Sequence, residues 1–242
     1  PEDYRRWRHA RVEGLAPHHR GVADVAARAA DHAIEVIEEA LRPILDSERM
    51  EPIAVVVLGS VEDYISFTSP FYGEEGAFGT SGGVYIRSDG DSFPFIAVPA
   101  PRSHSLAATI AHELTHHALV DHQLPLWVEE GLTQMMEERA TGVGSFMLSR
   151  ELVERHWDRW SNMGLASFWD GTGFGSPHDD EQELSYHLAQ ILVRGQLERD
   201  SAAFFRFVGA CRSIGPDEAV RRHLGDDPDE AVLGFLDRAR EE

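Results

Sequence analysis

Strand-like patterning in this chain is confined to one stretch. Three short runs, Ile53-Ala-Val-Val-Val-Leu58, Val84-Tyr-Ile-Arg87 and Phe93-Pro-Phe-Ile-Ala-Val98, are rich in β-branched and aromatic residues. The last two are joined by Ser88-Asp-Gly-Asp91, a hairpin signal. Pro94 lacks an amide proton, so it restricts its strand to an edge or to its own start. Before these runs lies one helical pattern, from Pro17 to Pro43, with apolar residues at Val22, Val25, Ala26, Ala29, Ala33, Val36, Ile37, Ala40 and Leu41. Glu62 to Thr68 reads as a short helix, and Phe71 to Gly83, with five glycines, as a loop. After the runs the patterning is helical: 105–120 with Ser103 or Ser105 as cap, 125–142 with Pro125 in its first turn, 151–160, and 181–198 with shorter helices beyond. Residues 170–180 read as a loop, and 1–16 as a charged arm without period. Helix, small mixed sheet, then helices is an α+β order. The expected division is 1–120 and 121–242, together one catalytic unit.

With 242 residues the chain can bury a full core. No apolar run approaches the eighteen or so residues that span a bilayer, and no basic start followed by an apolar stretch marks a signal peptide. The compartment and the oligomeric state stay open. The net charge of −20 argues against nucleic acid and anionic membranes as partners, and all 22 basic residues are Arg. A single cysteine, Cys211, rules out an internal disulfide and a thiolate-rich metal site. Cys211 sits among apolar residues and reads as a small core side chain. Any metal must therefore be held by nitrogen and oxygen.

His112-Glu113-Leu114-Thr115-His116 lies inside the 105–120 helix. Two histidines four apart stand about 40° apart around the axis and one turn along it, so both rings can meet one ion. Glu113 points to the flank of that face, within reach of a water in the open position but not of the ion. Ile110, Ala111, Leu114, Ala118 and Leu119 are available for the core. A catalytic zinc needs a third protein ligand, and two candidates stand out. His122 has the spacing of the third metzincin histidine, but Leu119 stands where that pattern needs a chain-turning Gly. Glu130 lies on the next helix, which a short turn through Asp121–Leu124 would fold back beside the first. Glu129 and Asp121 are its near rivals; Glu129 lies about 100° round the helix.

Pro125-Leu-Trp127-Val-Glu-Glu130-Gly131-Leu132-Thr133 resembles the P-x-W-x-x-E-G-x-(A/T) segment of gluzincin peptidases, the peptidase-MA-like families among them. The resemblance spans roughly residues 50–200, with its specific part at 112–133. It implies a zincin-like fold, zinc held by His112, His116 and Glu130, Glu113 as general base, and a peptide or protein substrate. It further implies Tyr186 as donor to the oxyanion, with His187 and His178 as rivals, and a core-packed Tyr as the plain reading. The family's habit of adding an extended peptide to an edge strand points to the entry Gly82-Gly83-Val84-Tyr85, with a plain loop as the alternative. His104, His117, His122 and the N-terminal histidines read as surface or packing residues. A non-catalytic protein of the same fold, or a hydrolase of a non-peptide amide, are the competing functions.

Overall fold

The computed structural model describes residues 17–45, 53–71, 82–87, 93–100, 106–143, 148–225 and 227–241. The arm 1–16, loop residues 72–81, turn residues 88–91 and the caps Ser103 and Ser105 lie outside them. The described residues are mostly helical, with one three-stranded mixed sheet, an α+β arrangement. They form two compact units. The first draws on Pro1–Arg42, Ser47–Ala118 and Met136–Gly142, the second on Pro43–Asp46, Leu119–Met135 and Val143–Glu242. The chain passes between the units at 42/43, 46/47, 118/119, 135/136 and 142/143.

In the first unit, helix α1 (Pro17–Leu41) buries Ala26, Ala30, Ala33, Ile37 and Leu41. Steps of three and four keep these on one stripe. Val25, apolar by type, is half exposed because it falls off that stripe. Strand β1 (Ala54–Leu58) leads into α2 (Val61–Thr68), whose first turn is capped by the Ser60 hydroxyl accepting from the Asp63 amide at 3.0 Å. Strands β2 (Val84–Ile86) and β3 (Phe95–Pro99) follow. β3 is central. It pairs in parallel with β1, Ala54 opposite Phe95, and antiparallel with β2, Val84 opposite Ala97. Pro94 thus stands just before a central strand, where its missing amide removes no ladder bond.

Side chains alternate across the sheet. On one face the Phe95 ring meets Phe67 and Phe71, with centroids 5.6 and 5.2 Å away. On the other lie Tyr85 and its register partner Ile96. There Tyr85 meets His117 of helix α3 (Leu106–Leu119), the helix that carries both candidate histidine ligands. α3 buries Leu106, Ile110, Ala111, Leu114 and Leu119.

The second unit contains the start of α4 (Leu126–Thr141), then α5 (Arg150–Met163), α6 (Ala166–Trp169), a tight turn at Thr172–Gly175, α7 (Asp179–Ile214), α8 (Pro216–Leu224) and α9 (Pro228–Glu241). Its core is aromatic. Trp127 lies nearly parallel to Phe207 at 6.2 Å and contacts Phe168 and Trp169. α7 buries Leu184, Leu188 and Ile191 together with Ala189 and Val193, so apolar packing covers two sides of it. The helix expected to end at Glu198 does break there: Asp200 leaves helical geometry (φ −160°, ψ 87°). The chain resumes at once, because the Asp200 carboxylate accepts from the Ala203 amide at 2.9 Å and caps a second segment.

Candidate metal centre

The link between α3 and α4 is tight. The His122 amide donates to the Leu119 carbonyl, and the Pro125 carbonyl accepts from the Val128 and Glu129 amides. Gln123 takes a left-handed conformation, φ 51°, to turn the chain. His112 and His116 lie one turn apart on α3, and their Nε2 atoms are 3.0 Å apart. His112, His116 and Glu130 each offer one donor atom, and the three lie within 4.8 Å of one another, so the group could hold a metal ion. Glu130 is buried and both histidines are half-buried.

The donor set fits a divalent ion. Two ligand atoms at 2.0–2.1 Å from a tetrahedral centre stand about 3.3 Å apart, close to the separation of the two ring nitrogens. Nitrogen, nitrogen and carboxylate oxygen suit zinc and its borderline neighbours better than calcium or magnesium. The Thr133 hydroxyl donates to the Glu130 carbonyl at 2.8 Å and lies 3.3 Å from its Oε2, steadying the carboxylate. Glu113 is 8% exposed, a buried acid one residue from the first histidine. Thr115, off the metal face, turns its hydroxyl inward to the Ala111 carbonyl at 2.8 Å.

Gly131 follows Glu130 because nothing larger fits. A Cβ there would stand 2.5 Å from the Ala189 carbonyl oxygen and 2.6 Å from Val193 Cγ2, so α4 and α7 touch backbone to backbone at this point.

The rival ligands are elsewhere. His122 is buried and donates from Nε2 to the Ile44 carbonyl at 2.7 Å, which ties the chain after α1 to the α3–α4 turn. Glu129 and Asp121 are not among the three donors. The residue that sequence reasoning missed is Glu137, whose Oε1 lies 3.3 Å from His112 Nδ1. Its signal was present: seven residues after Glu130 is two turns, on nearly the same face.

Tyr186 is half-buried and meets the Phe174 ring edge-on at 5.2 Å. His178 is exposed at the start of α7. The half-buried His187 has its pKa lowered, mainly by burial. It lies against His156, ring centroids 6.3 Å apart. His156 is fully buried and accepts from the Trp160 indole at 3.0 Å; burial above all, then the neighbouring His187, pushes its pKa down to about 3. Gly83 is pressed on α3: a Cβ would meet Thr109 Cγ2 at 2.4 Å and Val98 Cγ1 at 2.9 Å. A Cβ at Gly82 would stand 3.1 Å from Thr109 Oγ1. At the entry to β2, the space a side chain would take is thus occupied by α3 and Val98. His117, read as a packing residue, is one: it is buried, with Nδ1 3.3 Å from the Tyr85 hydroxyl. Cys211 is buried, and burial raises its thiol pKa to about 11, which suits the core role. No helix among the described residues is long and apolar enough to cross a membrane.

Comparison with protein-family models, with curated proteins and with solved structures finds no match.

Proposed function

We propose that this chain is a zinc metallopeptidase of the gluzincin type with a zincin-like fold. The observation that carries the reading is the convergence of His112, His116 and Glu130 around one point, with Glu113 buried beside the first of them. His112, His116 and Glu130 would hold the ion. Zinc in a three-ligand site supplies a Lewis acid and lowers the pKa of water toward 7.

The rest falls to the chain's own residues. Glu113 takes the proton from the attacking water and returns it to the departing amine nitrogen. Thr133 and the close seating of Gly131 keep Glu130 in place. The Tyr186 hydroxyl donates to the oxyanion, its ring held by Phe174. A peptide pairs with β2, which stands at the edge of the sheet.

The test is metal analysis of the purified protein with a peptide-library digest, with and without chelator, in wild type and Glu113→Gln. Near one zinc per chain, chelator-sensitive cleavage, and a variant that keeps zinc but loses turnover by about 10²-fold or more support the reading. Zinc-free protein, or cleavage unchanged in Glu113→Gln, refutes it.

A further inference from the structure

We infer that Glu137 is a positioning residue: it orients His112 as a metal ligand through its second ring nitrogen. The inference rests on the metal reading above. Glu137 Oε1 lies 3.3 Å from His112 Nδ1. A carboxylate can only accept there, so Nδ1 carries the proton and the lone pair is left on Nε2. Nε2 is the atom that lies 3.0 Å from its counterpart on His116. The contact thus selects the tautomer that can ligate and resists rotation of the ring.

Placement supports this. Glu130 and Glu137 are seven residues apart on α4, a turn of 700°, or 20° short of two full circles. One stripe of α4 therefore carries both a direct ligand and the carboxylate that steadies another. The side chains of His112 and Glu137 are 17% and 27% exposed, so water screens the pair only in part. Neighbouring Glu138 points about 100° away from that stripe. Partners of this kind alter metal affinity by about 10- to 100-fold when removed.

The experiment measures zinc affinity by competition with a chelating dye, starting from metal-stripped protein. Glu137→Ala and Glu137→Leu are expected to bind zinc about 10- to 100-fold more weakly. Leu keeps the methylene packing and removes only the acceptor. Glu137→Gln, whose amide oxygen still accepts from Nδ1, is expected to recover part of the loss. Circular dichroism of the metal-free variants should match wild type. If Glu137→Ala does not fold, Glu137→Leu decides. Wild-type affinity in Glu137→Leu overturns the assignment and leaves the metal site standing. A wild-type protein that binds no zinc overturns both.

Discussion

Replacing Gly131 by Ala tests how the proposed metal centre is held. The new Cβ would fall 2.5 Å from the Ala189 carbonyl oxygen, 2.9 Å from its carbon and 2.6 Å from Val193 Cγ2. Unstrained carbon contacts lie near 3.5–4.0 Å. Val193 can swing aside, but the Ala189 carbonyl is helix backbone, so α4 and α7 must part by about 1 Å. Overpacking against helix backbone, which cannot swing aside, falls in the upper part of the usual range, about 2–3 kcal/mol. Ala recovers close to 1 kcal/mol through its better helix propensity. The expected net loss is about 1–2 kcal/mol, or a Tm lower by roughly 2–8 °C for a protein of this size. Zinc affinity should fall with it, because Glu130 is the adjacent residue. Gly195, on the same α7, is the control: a Cβ there meets nothing within 4 Å. Gly195→Ala should raise the Tm. Thermal unfolding followed by circular dichroism, with chelator present so that bound metal does not mask the change, reads both. Equal or higher stability in Gly131→Ala would refute the close-packing account.

Glu130→Ala should lose most zinc affinity while His122→Ala binds zinc normally but unfolds at lower temperature, since it loses the bond to Ile44; dye competition and a melt separate the two. Tyr186→Phe should lower turnover by about 10²-fold with KM little changed, and an unaltered kcat would return Tyr186 to a packing role. Acid should destabilise the second unit through His156. Its pKa is pushed down to about 3 in the fold, so the unfolded chain takes up its proton near 6.5 and the folded one does not. Stability is therefore full above 6.5 and declines as pH falls toward 3, by at most about 1.4 kcal/mol per pH unit. His156→Gln should flatten that decline in pH-dependent melts, and an unchanged profile would exonerate His156.

Much of this was legible beforehand where one physical cause dominates. The α1 stripe and the helix carrying His112 and His116 follow from helical spacing, and the three strands from short runs of β-branched and aromatic residues. The Glu130 assignment needed more than period, because Glu129 and His122 have equally suitable chemistry. Trp127-x-x-Glu130-Gly131 favoured Glu130, which the structure groups with His112 and His116, and the packing of α7 supplies the reason for Gly131. What stayed hidden depends on tertiary partners. Nothing in the type of residue 123 announces a left-handed turn, since Gln rarely adopts one. α6 is four residues long, too short to show a period. The break at Asp200 was visible as the end of a helix, but not the capping that restarts it. Gly83, read as a place where a substrate could approach, lies against Thr109 of α3 on the side a Cβ would take.

That last contact has a consequence for the proposed pairing of a peptide with β2. β2 is fastened to α3 at two points, Gly83 on Thr109 and Tyr85 on His117. The strand points are about 7 Å apart; the helix points, eight residues apart, span about 12 Å. Two fasteners fix both the offset and the angle between strand and helix, so β2 serves as a ruler whose zero is set against His112 and His116. If a peptide pairs with its outer edge as proposed, it cannot shift by one residue without exchanging which side chains face the sheet's two sides. Its permitted shifts are two residues, about 7 Å each. In a substrate of alternating apolar and polar residues, the scissile bonds would then be spaced by even numbers.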